Sequence, residues 1–213
     1  MSAFVESHMP GSPARPACAA CCRPLTHCLC ALVPSLQPAT QVVIIQHPSE
    51  RHHALNTARL LALGLANARL VIAEQLYDDL ASELADPDWR TELLFPGPEV
   101  AQIAPSPFDG RPRRLVLLDG TWRKARKLLY LNDVLRRIPQ VTLPVGQASR
   151  YRLRKAPGPE ALATIEAGVR ALSIIEPDID FQPLLKPFEA LIEGQIDSMG
   201  AERYSRNHLA TTR

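Results

Sequence analysis

The sequence contains no cysteine outside one short segment. All five cysteines of this 213-residue chain lie between Cys18 and Cys30. A disulfide framework would distribute cysteines along the chain. The clustering therefore argues against a disulfide-stabilised secreted protein and predicts a metal site in a reducing compartment. We expect a cytoplasmic protein.

Several other signals are missing. There is no apolar run of 18 residues and no basic-then-apolar leader at the start, so neither a membrane span nor a secretory signal is expected. The sequence has no G-x-G-x-x-G fingerprint and no P-loop, which argues against a dinucleotide-binding fold and against an NTPase. No segment repeats along the chain.

The cysteine segment has the spacing of a zinc site. Four of its cysteines follow the pattern C-x2-C-x6-C-x-C: Cys18, Cys21, Cys28 and Cys30. Four thiolates complete a tetrahedral zinc shell and leave no open position, so a structural role is expected. A segment this short cannot bury a core, and bound metal would explain how it is ordered. Cys22 and His27 are alternative ligands.

Positive charge is concentrated in one part of the chain. The formal net charge is +2, but residues 111–155 contain 13 Lys and Arg against two Asp. The remaining residues contain 11 basic and 20 acidic side chains. A basic stretch in a nearly neutral protein is typical of a phosphate-rich partner. The alternative is that folding distributes these charges over the surface.

A buried strand is predicted inside the basic stretch. Residues 115–118 are four consecutive large apolar residues, and Gly120 follows them. This pattern favours a strand buried on both faces and then a turn. Asp119 would therefore end the strand, at the edge where open α/β sheets bind ligands. The alternative role for Asp119 is a helix-capping carboxylate.

Helical spacing begins after this turn. Thr121 is a plausible N-cap, and Trp122, Ala125 and Leu129 recur on one face. The basic residues of this helix fall on another face.

Strands and helices alternate over the rest of the chain. Strands are predicted at 41–46, 69–73, 92–95, 115–118 and 141–144, and helices from 58 to 65, at 76–84, from 122, and at 160–172 and 181–199. This alternation predicts an α/β fold with a mostly parallel sheet flanked by helices. Residues 96–112 would be a Pro-rich connection and 147–159 a basic loop. The expected organisation is a disordered 1–16, a zinc-binding segment and linker at 17–38, a main domain at 39–200 and a tail at 201–213.

Four sequence blocks, in this order and spacing, resemble the DTW-domain family. They are the cysteine pattern, Gln46-His-Pro-x-Glu50 with Asn56-Thr57, Asp119-Gly-Thr-Trp122, and Ser149-Arg-Tyr-Arg-Leu-Arg-Lys155 followed by Thr164-Ile-Glu166-Ala167. The bacterial members that this chain resembles are tRNA-uridine aminocarboxypropyltransferases. They are similar in turn to the SPOUT superfamily, which implies a C-terminal trefoil knot, S-adenosylmethionine binding and residues 39–200 as the catalytic domain.

The resemblance implies a specific reaction. The 3-amino-3-carboxypropyl group of S-adenosylmethionine would move to N3 of a tRNA uridine, and 5′-methylthioadenosine would leave. A second interpretation keeps the fold but transfers methyl or acts on ribosomal RNA. A third is a non-catalytic, zinc-containing RNA-binding protein.

Asp119 is the candidate general base of this reaction. Uridine N3–H is a weak acid, so attack requires a base or stabilisation of the anion. Nearby cations lower the pKa of a carboxylate and weaken it as a base. An alternative is therefore that Asp119 orients the reactants while Arg123 or Arg150 stabilises the anion.

The transferred group carries a carboxylate and an amine that the enzyme has to hold. Arg150 or Arg152 suits the carboxylate, because a guanidinium can bind it bidentately. Glu166 or a carbonyl near Pro96 could bind the amine. By analogy with the superfamily, the cofactor-binding residues are expected to be Leu94, Phe95, Pro96, Gly97, Leu117, Asp119, Thr121, Trp122, Leu143, Arg152, Thr164 and Glu166. Trp122 could instead only pack the helix.

A tRNA partner is expected to bind through basic side chains. The predicted phosphate contacts are Arg123, Lys124, Arg126, Lys127, Arg152, Arg154 and Lys155. The target uridine would be flipped out of its fold. His47 and Glu50 either orient substrate or tie down their loop. No obligate protein partner is expected, and the chain would be a monomer or a homodimer.

Overall fold

A single parallel sheet forms the centre of the molecule. The computed structural model describes residues 16–97, 99–105, 110–146, 149 and 162–200. Its strands are β1 Gln41–Gln46, β2 Ala68–Ile72, β3 Arg90–Leu94, β4 Ala101–Gln102, β5 Arg113–Asp119 and β6 Gln140–Thr142. Their order in the sheet is β2-β1-β5-β3-β6-β4, and every pair is parallel. The predicted α/β fold with a parallel sheet is confirmed.

Helices cover both faces of the sheet. They are α1 Ala58–Leu63, α2 Asp78–Leu84, α3 Trp122–Leu131, α4 Asp133–Arg137, α5 Thr164–Ile175 and α6 Leu185–Met199. The helices α1, α5 and α6 contribute to one apolar core, and α2, α3 and α4 to the other. In the described part of the chain, no helix combines the length and apolar composition needed to cross a membrane.

Strand β5 lies between these two cores, which explains its unbroken apolar run. Leu115 and Leu117 belong to the core on the α5 side, whereas Val116 belongs to the core on the α3 side. All three are buried because successive side chains of a strand point to opposite faces. β1 has the same character, with residues 42–45 completely buried.

Some predicted boundaries were wrong, and two short elements were missed. β4 lies in the segment predicted as a connection; it is only two exposed residues long and has no apolar pattern. α4 is a five-residue helix that follows α3 directly. α1 ends at Leu63, and Gly64 is its C-cap. Gly64 also packs closely, since a Cβ at this position would lie 2.3 Å from Leu184 Cδ2.

The two closing helices also differ from their predicted bounds. α5 runs from Thr164 to Ile175, so it begins and ends later than predicted. α6 begins at Leu185 after a 3-10 turn at Gln182–Leu184. Pro187 fits within the first helical turn, where its missing N–H has no intrahelical partner to lose. The predicted disordered residues 1–15, the tail 201–213 and most of the basic loop lie outside the described residues.

Two arginines of the basic stretch are buried away from the predicted site. Arg113 Nε donates to Glu92 Oε2 at 2.8 Å, and Glu92 also accepts from Arg90 at 3.0 and 3.1 Å. Arg114 lies over the Trp89 ring at 4.2 Å and forms an ion pair with Glu83 at 3.5 Å. Both arginines lie in the amino-terminal part of β5. For these two arginines the alternative interpretation of the basic stretch is correct, because folding places their charges away from the predicted site. They add nothing to a basic surface near Asp119.

Replacing Glu92 by glutamine should destabilise the fold strongly. The change leaves Arg113 charged and buried without its carboxylate, a loss of about 3–5 kcal/mol in the free energy of unfolding. Urea unfolding followed by circular dichroism measures it. Asp133→Asn is the matched control, because its pair with Arg136 is exposed and should contribute at most about 1 kcal/mol. Equal losses in the two variants would contradict the assigned role of the buried pair.

Candidate active site and metal centre

Strand ends converge at one edge of the sheet. In a parallel sheet the carboxyl ends of neighbouring strands meet, and here Gln46 at the end of β1 is in register with Asp119 at the end of β5. Leu94 at the end of β3 is in register with Leu117 on the other side of β5. The structure thus confirms that Asp119 ends a buried strand just ahead of a helix.

The carboxylate of Asp119 is held by side chains from two other elements. Its Oδ2 accepts a hydrogen bond from Gln46 Nε2 at 2.8 Å, and its Oδ1 accepts one from Thr164 Oγ1 at 2.5 Å. Gln46 is completely buried, and Asp119 is only 8% exposed. These two bonds orient the group, and a carboxylate has about four acceptor positions, so it can accept further hydrogen bonds.

Asp119 is not the helix cap that the alternative interpretation required. The hydroxyl of Thr121 accepts from the Lys124 N–H at 3.4 Å and caps α3. Gly120 lies between Asp119 and Thr121. A Cβ added to Gly120 would come within 3.0 Å of Lys124 Cβ. The carboxylate of Asp119 therefore has a position defined by the sheet and by α5.

The start of α5 brings the last sequence block to this carboxylate. Thr164 is the first residue of α5, and Glu166 follows in its first turn. Glu166 Oε2 accepts from the Ala163 N–H at 2.8 Å and from Ser149 Oγ at 2.6 Å. Glu166 thus caps the helix and holds Ser149, a structural task that the sequence did not reveal. Its predicted contact with a substrate amine stays a prediction.

Apolar residues cover the α5 side of the sheet at the end that carries Asp119. Leu94 and Leu143 pack against the core that contains Leu117. α5 can approach α1 and β5 closely because Gly168 has no side chain. A Cβ at this position would lie 2.5 Å from Leu61 Cδ2 and 3.4 Å from Leu117 Cδ1. A neighbouring cavity of about 320 Å³ is lined by Leu143, Pro144, Val145, Gly146, Glu166, Val169, Arg170, Ser173, Ile174, Gln182 and Leu185. This volume lies within the range of small-molecule sites.

Two predicted cofactor-binding residues lie on the other face of the sheet. The rings of Phe95 and Trp122 meet edge to face, with centroids 6.0 Å apart and planes at 70°. Phe95 belongs to the core on the α3 side, whereas Leu94 packs on the α5 side. The predicted cofactor-binding residues are therefore divided between the two faces of the sheet, because the side chains of adjacent strand residues point in opposite directions. Pro96 and Gly97 are exposed just after β3.

The predicted RNA-binding residues of α3 fall into two pairs. Lys124 Nζ lies 2.6 Å from Glu50 Oε1, and Lys127 Nζ lies 2.7 Å from Glu74 Oε1. Arg123 and Arg126 are exposed, and within the described residues neither forms an ion pair. The candidates Arg150, Arg152, Arg154 and Lys155 lie outside the described residues. RNA contacts by all of these side chains stay predictions.

His47 and Glu50 connect their loop to neighbouring elements. The Nε2 of His47 lies 2.9 Å from Glu74 Oε1, and Glu74 also binds Lys127. The hydrogen bond from Lys127, with that from His47, lowers the pKa of Glu74. These contacts favour the interpretation that His47 and Glu50 tie down the loop after β1.

Four cysteine sulfurs lie close together in the N-terminal segment. Cys18 and Cys30 have their sulfurs 3.6 Å apart, those of Cys21 and Cys28 are 3.8 Å apart, and all four lie within 4.8 Å of one another. Four sulfurs around a tetrahedral zinc would be about 3.8 Å apart, given Zn–S bonds of about 2.3 Å. These four residues could hold a metal such as zinc.

The alternative ligands do not join this cluster. The exposed Cys22 directs its sulfur towards the Ala19 carbonyl, 4.0 Å away, and His27 Nδ1 lies 2.9 Å from Thr26 Oγ1. Backbone hydrogen bonds from Cys21 and Ala20 lower the pKa of Cys18 to about 6. A lowered pKa favours the thiolate, which is the form of cysteine that binds zinc.

Comparisons with known proteins identify the family of this chain. A family model for the DTW domain matches residues 15–196. The chain belongs to the DTW-domain family. Its similar relatives include the proteins named tRNA-uridine aminocarboxypropyltransferase 2 from Macaca fascicularis and Mus musculus. The first is 34% identical over 212 residues, covering 94% of this chain and 71% of the relative. The second is 35% identical over 204 residues, which cover 92% of this chain and 68% of the relative.

A similar protein from Drosophila melanogaster carries the same name. It is 32% identical over 203 residues, which cover 90% of this chain and 80% of the relative. No solved structure matches the chain.

The four DTW-family blocks contact one another in the fold. Gln46, Asp119 and Thr164 come from three different blocks and share the hydrogen bonds described above. The cysteine block is joined to them by Arg23, whose guanidinium donates to the carbonyls of Ala54 at 2.7 Å and Asn56 at 3.2 Å. Sequence reasoning gave no role to Gln46 or Arg23. Gln46 lies within a block, but nothing in the sequence marks Arg23.

Proposed function

We propose that this DTW-domain protein is a tRNA-uridine aminocarboxypropyltransferase. In this proposal, the 3-amino-3-carboxypropyl group of S-adenosylmethionine moves to N3 of a tRNA uridine, and 5′-methylthioadenosine leaves. The observation that carries the proposal is the name of the relatives, which are 32–35% identical over at least 90% of this chain. The reducing cytoplasm, where free thiols persist, is the proposed location.

The site is suited to deprotonate a weak acid. Uridine N3–H has to lose its proton as N3 attacks, and Asp119 is the proposed acceptor. The hydrogen bonds from Gln46 and Thr164 fix its carboxylate before substrate arrives, so no reorientation is needed during reaction. The exposed Arg123 follows closely in α3 and would stabilise the uridinate if the proton leaves early.

The residues around Asp119 also suit S-adenosylmethionine. This co-substrate supplies a sulfonium-activated carbon, whose bond to sulfur breaks as the bond to N3 forms. The apolar residues Leu94, Leu117 and Leu143 would contact its adenine, and Glu166 would bind its amine. The carboxylates of Asp119 and Glu166 are complementary to a substrate with cationic sulfonium and ammonium groups.

The proposal retains three finer expectations. A C-terminal trefoil knot like that of the SPOUT superfamily is part of the proposal. The segment 150–161 lies outside the described residues. Arg150 or Arg152 in that segment would bind the substrate carboxylate. Cys18, Cys21, Cys28 and Cys30 would hold zinc as a structural ion, because the four thiolates leave no open coordination position.

Nucleoside mass spectrometry of tRNA tests the reaction directly. Total tRNA from cells lacking the gene, treated with the purified protein and S-adenosylmethionine, should contain a uridine heavier by the aminocarboxypropyl group. Methylthioadenosine should appear in equal amount, because each transfer breaks one carbon–sulfur bond. Protein incubated without S-adenosylmethionine is the control.

Other outcomes of this experiment would overturn parts of the proposal. A methyl gain with S-adenosylhomocysteine would retain the substrate and contradict the transferred group. Modification of ribosomal RNA alone would contradict the substrate. Absence of any product, together with absence of S-adenosylmethionine binding in calorimetry, would favour a non-catalytic RNA-binding protein.

A further inference from the structure

The exposed side of α3 carries aromatic and cationic side chains in alternation. Trp122, Arg126 and Tyr130 follow one another at intervals of four residues, so successive members are offset by only about 40° around the helix. Trp122 is 36% exposed and Tyr130 is 74% exposed. We name Trp122, Arg123, Arg126 and Tyr130 the α3 strip.

The strip begins shortly after Asp119 in the chain. Trp122 is three residues beyond Asp119, and Tyr130 lies about 12 Å further along the helix axis, at about 1.5 Å per residue. This length exceeds one stacked base step, about 3.4 Å. A strand whose nucleotide enters the active site could therefore extend along the strip.

The positive charge of α3 is concentrated on the strip. Lys124 and Lys127 project to the side of the helix where they form ion pairs with Glu50 and Glu74. Arg123 and Arg126 form no ion pair within the described residues. The side of α3 that stays positively charged is thus the same side that presents the aromatic rings.

Both rings contact neighbouring side chains. Trp122 meets the edge of the buried Phe95 ring. The guanidinium of Arg136 lies 6.0 Å from the centre of the Tyr130 ring and also donates to the Tyr130 carbonyl. Such contacts reduce the conformational freedom that a ring has to lose on binding.

We infer that the α3 strip binds unpaired nucleotides of the RNA substrate, with a base stacked on Tyr130 and phosphates on Arg123 and Arg126. Aromatic rings that alternate with cations are typical of surfaces for single-stranded RNA, because every base has a face that can stack. The inference rests on the proposed function, since it assumes an RNA substrate, and it adds Tyr130 as an affinity-determining residue.

Fluorescence anisotropy with labelled tRNA and the full-length, zinc-containing protein tests the strip. Tyr130→Ala should weaken binding at least about fivefold, because it removes a stacking surface. Tyr130→Phe should bind like the wild type, since stacking requires the ring and not the hydroxyl. Leu63→Ala is the matched control: it removes an exposed apolar side chain from α1 on the other face of the sheet.

Salt dependence separates stacking from charge. Arg126→Ala should reduce the slope of log K against log salt by roughly 0.7–0.9, as expected for the loss of one phosphate contact. Tyr130→Ala should lower affinity at every salt concentration and leave the slope unchanged. With a fully paired RNA duplex, Tyr130→Ala should have no effect, because a duplex offers no unpaired base to stack.

Several results would overturn the inference. The inference would be wrong if a folded Tyr130→Ala protein bound tRNA with wild-type affinity. It would also be wrong if Tyr130→Ala weakened binding to the paired duplex as much as binding to tRNA. Concentration-dependent dimerisation that Tyr130→Ala abolishes, with tRNA affinity unchanged, would make a second copy of the chain the occupant of the strip. If the wild type itself failed to bind tRNA, the proposed function would fail first, and the two failures are thereby distinguishable.

Discussion

Asp119→Asn is expected to lower the rate of aminocarboxypropyl transfer by roughly 10²- to 10⁴-fold, the usual contribution of a general base. An amide has nearly the same shape as the carboxylate but accepts no proton at neutral pH. Affinity for tRNA should be unchanged or slightly higher, because a negative charge near the phosphates is removed. Single-turnover transfer assays and anisotropy measure the two quantities separately.

The structure indicates that this variant will fold. Thr164 can still donate to the remaining carbonyl oxygen at position 119. The new amide group would face Gln46, whose Oε1 is buried and has no hydrogen-bond partner within the described residues. Rotation of the Gln46 amide by 180° would present this oxygen to the new donor. The variant therefore separates the chemical role of Asp119 from its structural role.

A companion variant tests the orienting contact. Thr164→Val removes one hydrogen bond to Asp119 and retains the carboxylate, so its rate loss should be clearly smaller than that of Asp119→Asn. If Asp119→Asn retained more than about a tenth of the wild-type rate, the loss would be too small for a general base. Asp119 would then be a positioning residue, and stabilisation of the uridinate by Arg123 would become the better explanation.

Cys18→Ser is expected to release the metal and lower the melting temperature by roughly 10 °C. Structural zinc contributes directly to folding, and a loss of a few kcal/mol corresponds to a shift of this size in a chain of this length. Cys18 is only partly buried, so the change tests metal binding more cleanly than replacement of the buried Cys21 would. Metal analysis by mass spectrometry and thermal unfolding provide the two measurements.

The chain supplies its own control for this experiment. Cys22→Ser changes an exposed thiol outside the cluster and should leave both metal content and melting temperature unaltered. For Cys18→Ser, turnover per folded molecule should change less than stability, because a closed four-thiolate shell has no position for substrate. A stable but inactive Cys18→Ser protein would instead assign the metal a direct part in the reaction.

Features that depend on nearby residues could be predicted from the sequence. The strands β1 and β5 carry long apolar runs because both of their faces are buried, and β1 has the predicted bounds. The four cysteines lie within one segment, so their spacing favoured them as ligands, while the structure was needed to separate Cys22 and His27 from the cluster. The position of Asp119 followed from a strand pattern and a helix pattern that adjoin each other in the chain.

Features that depend on register and on distant partners could not be predicted. The contact between Gln46 and Asp119 requires that β1 and β5 are neighbours in this register, over a separation of 73 residues. The burial of Arg113 depends on Glu92 in β3, so the local excess of basic residues was misleading. The placement of Phe95 opposite Leu94 needed an exact strand register, and a shift by one residue exchanges the two faces.

The strand order also has a consequence for biosynthesis. β5 lies between β1 and β3 in the sheet but follows both of them in the chain. On the ribosome, the apolar edges of β1 and β3 therefore stay unpaired until residue 119 has emerged. Translation products that stop before β5 would expose residues 42–45 as an open hydrophobic edge, which is a template for aggregation. We therefore expect unfinished chains to aggregate more readily than the complete protein, until β5 pairs with both strands.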